Sequence, residues 1–185
     1  DSDLMRLNRA GPGRWVALPE AMLDVLARAQ EIGALSGGAF DAAVGGLVNA
    51  WGFGAMADTP DPDAIRRAAA DHRPAHLWLD VDREQCRARK RAPMTLDLCG
   101  IAKGYAVDRM ARVMADHGVG HALVSLDGEL RACGARIDGR PWAVALESPQ
   151  EGRRAVHGVI ELADLSVATS GDYRRSFAHG GRDYA

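Results

Sequence analysis

"LDLCGIAKGYAVDRMARVMADHGV", Leu96 to Val119, decides the fold reading. It sets an apolar extended stretch, a glycine turn at Gly100 and a lysine, Lys103, ahead of a long helical pattern. The spacing predicts a strand over 94–98 and a helix from about Ala102 to His117. The helix buries Val107, Met110, Ala111 and Met114, and Gly118 stops it. "HALVSL", His121 to Leu126, follows as a strand, so the whole reads as a βαβ-like unit. A lysine beside a helix start adds positive potential where the dipole is already positive, a cost that a bound anion reverses. Unpaired N–H groups near Ile101 and Ala102, the Lys103 ammonium and close approach at Gly100 and Gly104 outline a diphosphate cradle. A plain helix-capping turn accounts for the same residues, and the stretch matches neither the Walker A nor the GxGxxG pattern.

Working outward, Leu18-Pro19-Glu20 opens a helix with Met22, Val25, Leu26, Ala29 and Ile32 on one face, and Ser36-Gly37-Gly38 ends it. A short helix is expected near Ala43 to Trp51, and a second capped helix has Asp61 as N-cap, Pro62 at its first position and Pro74 beyond its end. Strands are expected at Leu77 to Val81 and Met94 to Leu98, joined by the polar "DREQCRARKRA" as a surface turn or hairpin connection. "RPWAVALE", "HGVIELADLSVATS" and "DYRRSFAHGGRDYA" supply further strands, the last a hairpin turning at His179-Gly180-Gly181. The class is α+β.

The chain has 185 residues, with 23 basic and 25 acidic side chains and a net charge of −2. No global basic field exists to hold nucleic acid or an anionic membrane surface, so an anion must be held locally. The 21 glycines and 8 prolines are dispersed through patterned segments, which argues against disorder. Cys86, Cys99 and Cys133 form no CxxC pair, which gives neither a disulfide framework nor a zinc site. The longest charge-free run, Ala42 to Ala57, holds four glycines and an asparagine and is shorter than the roughly 20 apolar residues of a spanning helix. The opening "DSDLMRLNRA" has no basic n-region or apolar h-region of an export signal.

"ATSGDYRR", Ala168 to Arg175, ends a strand in a turn whose hydroxyls, carboxylate and tyrosine suit a ribose or purine edge; an ordinary Ser-Gly-Asp turn is the other reading. The carboxylates Asp41, Asp97, Asp108, Asp127 and Glu129 lie near glycine turns, where hard cations bind, though each alone reads as a cap or ion-pair partner. All six histidines read as structural or surface groups.

Four stretches in order, "SGGAFDAAVGGLVNAWGFG", "LDLCGIAKGYAVDRMARVMADHGV", "ALVSLDGELRACG" and "SVATSGDYRRSF", closely resemble the ApbE family of FAD:protein FMN transferases. The resemblance covers nearly the whole chain and implies an ApbE-type, T-fold-like mixed sheet with packed helices. It implies a magnesium-dependent enzyme of the bacterial periplasm or cell envelope, lipid-anchored at full length. Such an enzyme cleaves FAD and links FMN to a threonine of an acceptor protein, such as a subunit of a membrane redox pump.

By the same resemblance Lys103 and Gly104 lie against the FAD diphosphate, and the Ala102 backbone carbonyl is a magnesium ligand. Ser170, Gly171, Tyr173, Gly128 and Glu129 help form the FAD pocket, with Asp41, Asn49 and Trp51-Gly52-Phe53 as the wall beside it. The sequence departs from the family pattern at Gly45-Gly46, at Cys99 and at Asp127, which adds a negative charge near the anion site. The family's HxIDPxTG motif with the catalytic histidine, its later metal ligands and an early MGT segment are not in the 185 residues, so residues 1–185 read as the central part of the enzyme. An FAD diphosphatase and a non-catalytic flavin-binding module are the alternatives.

Overall fold

The computed structural model describes residues 2–54, 60–149, 155–170, 177–179 and 182–184, the last two stretches by backbone alone. The chain divides into two compact units, Asp1–Ala102 and Lys103–Ala185.

In the first unit α1 (Asp3–Arg9) starts where the Ser2 hydroxyl accepts the Met5 N–H, and Arg6 and Arg9 favour its negative end. β1 (Val16–Ala17) follows, then α2 (Glu20–Leu35), whose N-cap is Pro19 and whose C-cap is Ser36. Its buried face is Leu23, Val25, Leu26, Ala29 and Gly33. Met22 and Ile32, expected inside, are only half-buried. Gly33 sits on that face close against His76: a Cβ there would stand 3.2 Å from His76 Cβ. Next come α3 (Gly45–Ala50), α4 (Pro62–Ala70), capped by Asp61 as expected, and α5 (Ala75–Trp78). Pro74 therefore starts a helical turn, and β2 (Leu79–Asp82) begins two residues later than expected.

The strand that pairs with β2 is β3 (Arg87–Lys90), inside the polar run read as a connection. Charge does not disqualify it, because alternation gives it two faces. Ala88 and Lys90 point inward, 0% and 3% exposed. On the outer face Arg87 and Arg89 stand directly opposite Asp82 and Asp80, with ion pairs at 3.0 and 2.8 Å, and both guanidinium groups lie over Trp15. β1 completes an antiparallel sheet of order β1-β3-β2. The buried Lys90 ammonium donates to the carbonyls of Asn8 (2.6 Å) and Met94 (3.0 Å), and burial lowers its pKa.

Residues 94–98, expected as a strand, make one parallel bridge, Thr95 to Val44. Their backbone groups are met in other ways: the Asn8 side chain clamps the Leu96 N–H and carbonyl, and the Asp97 N–H donates to Ala42. The βαβ-like unit thus lacks its first strand.

α6 (Cys99–Asp116) carries the chain into the second unit. Val107 and Ala111 are buried as expected, whereas Met110 and Met114 are each 38% exposed. Gly118, at φ 80°, ends the helix. β4 (Ala122–Leu126), β5 (Glu129–Cys133) and β8 (Ser166–Val167) form an antiparallel sheet of order β4-β5-β8. β6 (Trp142–Glu147) pairs with β7 (Val156–Leu162), and β9 (Phe177–His179) with β10 (Arg182–Tyr184), the expected hairpin. Among the described residues every pairing of named strands is antiparallel, and the architecture is α+β. No helix among them is long and apolar enough to cross a membrane.

Candidate functional site

The start of α6 is built by Asp97, whose carboxylate accepts the Cys99 N–H at 2.7 Å. The expected glycine turn is instead part of the helix: Gly100 lies within α6, and Lys103 is its fifth residue. Gly100 is closely packed: a Cβ there would stand 3.3 Å from Phe40 Cε2, so the ring would have to give by a few tenths of an ångström. Gly104 is different. An added Cβ would meet nothing within 4 Å, so the roughly 1 kcal/mol that a mid-helix glycine costs relative to alanine has no packing reason.

In the second unit the β4–β5 hairpin closes on the pair Leu126 and Glu129 through Asp127-Gly128. Both turn residues have positive φ, 47° and 99°, the pattern of a type I′ turn, which Asp-Gly suits. Glu129 faces α6, and its Oε1 takes the Lys103 ammonium at 3.0 Å. Asp127 Oδ2 lies 3.6 Å from the same ammonium, and the Asp127 carbonyl accepts from it at 3.4 Å. The hydrogen bond to Glu129 is the main cause that raises the Lys103 pKa, so this ammonium stays charged throughout the neutral range. Two residues along β5, Arg131 pairs with Asp108 of α6 at 2.8 Å, a second tie between helix and strand.

Glu129 is the unusual member. Its side chain is 15% exposed, and its buried Oε2 has no hydrogen-bond partner among the described residues. Such an atom costs on the order of 1–3 kcal/mol and calls for an explanation. Gly128 is held from behind by Thr169, whose hydroxyl donates to its carbonyl at 3.5 Å; a Cβ on Gly128 would stand 3.1 Å from that hydroxyl. Ser170, the next residue, is exposed. Lys103, Gly128 and Glu129 are therefore brought together, with Gly104 beside Lys103 on the helix, while Gly171 and Tyr173 lie outside the described residues.

The remaining expected residues belong to the first unit. Asp41 acts as a cap: Oδ1 accepts the N–H groups of Ala43 and Ala75, both at 2.9 Å, and Oδ2 lies 2.8 Å from His72 Nε2. Asn49 is exposed, and its Oδ1 occupies the place a Cβ on Gly54 would take. Trp51 is the C-cap of α3, Gly52 has φ 78°, and the Phe53 N–H closes onto Val48. Ala102 is half-buried within α6. One backbone carbonyl is not a metal site, and among the described residues no group of three acidic, histidine or cysteine side chains is placed to hold an ion. Cys86, Cys99 and Cys133 form no disulfide among the described residues. Sequence reasoning missed the pairing of Lys103 with Glu129 and Asp127; the readable signal was Asp-Gly between the alternating runs of "ALVSLDGELRAC", a hairpin in which Glu129 immediately follows the turn.

A family model described as "ApbE family" matches residues 1–185. An FAD:protein FMN transferase of Klebsiella pneumoniae (strain 342) is 37% identical over 98% of this chain and 53% of its own length. The Haemophilus influenzae protein of the same name is 35% identical over 100% of the chain and 55% of its own. The crystal structure of an ApbE protein from Thermotoga maritima superposes with a TM-score of 0.85 at 29% identity, over 99% of this chain and 59% of that one. The flavin transferase ApbE from Vibrio cholerae gives 0.81 at 34% identity, over 97% and 58%. The fold is thus that of solved flavin transferases. The chain belongs to the ApbE family, and it spans about half the length of the curated relatives it matches.

Proposed function

We infer that the protein containing this chain is an FAD:protein FMN transferase, in which a threonine hydroxyl of an acceptor displaces AMP from FAD to form an FMN phosphoester. The observation that carries this reading is the Lys103 cluster: an ammonium charged in the neutral range, 36% exposed, held on a helix–hairpin junction beside a glycine with open space around it. It occurs in a chain whose relatives bear that name. Chemically, Lys103 would neutralise the diphosphate and the AMP leaving group. Glu129 Oε2, which has no hydrogen-bond partner among the described residues, suits a donor on the ligand, such as a hydroxyl or an exocyclic amine. The roles of Ser170, Gly171, Tyr173, Asn49 and the Ala102 carbonyl rest on the family resemblance alone. So do the periplasmic or envelope location, the lipid anchor and the redox-pump acceptor. Magnesium, which supplies charge neutralisation at the diphosphate when bound, is part of the same reading, but its ligands are not assembled by the described residues.

The test is the intact mass of a threonine-bearing acceptor domain incubated with FAD, magnesium and the protein at its full natural length. The expected result is a gain of one FMN with release of AMP. FMN and AMP released without an acceptor adduct would make it a diphosphatase, and no turnover with tight FAD binding would make it a flavin-binding module.

Glu129→Met separates ligand binding from folding. An apolar side chain of similar length removes the buried oxygen that has no partner among the described residues and leaves Lys103 its Asp127 partner. Stability should be unchanged or higher by up to about 1 kcal/mol, while FAD affinity falls about threefold, the lost hydrogen bond from a ligand donor to a charged acceptor outweighing the gain from removing a negative charge beside Lys103. Thermal melts and equilibrium titration check this; lost stability with unchanged affinity would return Glu129 to a structural role.

A further inference from the structure

One ammonium at this junction faces two carboxylates, so Lys103, Glu129 and Asp127 together carry a net charge of −1. The neighbouring Asp108–Arg131 pair is neutral as a whole. The two carboxylates are not equivalent. Glu129 is set in β5 and 15% exposed, whereas Asp127 stands at the hairpin tip, 84% exposed. A ligand phosphate that reaches Lys103 from solvent therefore meets Asp127.

We propose that Asp127 is a built-in counter-anion on the open side of Lys103, which a phosphate-bearing ligand displaces, so that Asp127 sets the affinity for anionic nucleotides. This rests on the reading of Lys103 as the diphosphate contact. An exposed ion pair is weak, so Asp127 attenuates binding without blocking it. A unit charge within about 6 Å of a diphosphate bearing two charges changes affinity about three- to tenfold at low salt, an effect that salt screens. An uncharged ligand is insensitive to it.

Asp127→Asn removes the charge and keeps the turn, because Asn-Gly suits the positive φ at both positions at least as well as Asp-Gly. The experiment titrates the full-length protein, D127N and K103A with FAD, ADP and riboflavin, at low and at high salt. D127N should bind FAD and ADP about three- to tenfold more tightly at low salt, with the difference shrinking below about twofold at 0.5 M salt and riboflavin unaffected. Equal or weaker nucleotide binding by D127N, while K103A loses affinity, would overturn the counter-anion and leave the diphosphate contact standing. Unchanged nucleotide binding in K103A would overturn the diphosphate contact and the counter-anion with it.

Discussion

Lys103→Ala should lower the affinity of the protein for FAD and ADP by about ten- to hundredfold. Hydrogen bonds to charged groups are worth about 1.5–3 kcal/mol, and each 1.4 kcal/mol is a factor of ten in binding. The ammonium is 36% exposed, which leaves it open to a ligand, and its raised pKa keeps it charged across the neutral range. The substitution also strands the Glu129 carboxylate, 15% exposed, without its cation, so the melting temperature falls as well. The double variant Lys103→Ala with Glu129→Met separates the two effects: stability returns and affinity does not. Recovery of nucleotide affinity in the double variant would show that Lys103 serves only to neutralise Glu129.

Asp41→Ala destabilises the first unit by about 3 kcal/mol, a fall in melting temperature on the order of 10 °C. The Asp41 side chain is 6% exposed; its Oδ1 accepts the N–H of Ala43 and the N–H of Ala75 at the start of α5, while Oδ2 lies 2.8 Å from His72 Nε2. Removing it leaves two backbone donors without acceptors in a part-buried setting, at about 1 kcal/mol or more each, and frees the imidazole. Asp41→Asn keeps an acceptor oxygen for both N–H groups and should cost about 1 kcal/mol. Circular dichroism melts of the two variants distinguish this from a surface role, in which both would melt like the parent.

Helix periodicity with capping residues was legible wherever the partners are local. α2, α3, α4 and α6 follow from spacing and from Pro19, Asp61, Ser36 and Gly118, because the groups that start and stop a helix lie within a turn of it. The same holds for the pairing of β9 with β10, strands only two residues apart in sequence. The family is legible too, since four ordered motifs are a property of the chain alone. β3 was not legible: four residues of alternating Arg, Ala, Arg and Lys become a strand only when Asp80, Asp82 and Trp15 are opposite them. Nor was the loss of the strand at 94–98, whose backbone is satisfied by Asn8, more than eighty residues earlier. At the candidate site the sequence by itself determined that a lysine sits between two glycines near a helix start and that Asp-Gly precedes a glutamate. Tertiary structure alone decided that Glu129 and Asp127 meet the Lys103 ammonium and that one buried glutamate oxygen finds no partner among the described residues. Those contacts join residues some twenty-five positions apart, and electrostatic pairing over that separation depends on how α6 packs against the β4–β5 hairpin, which no local propensity encodes.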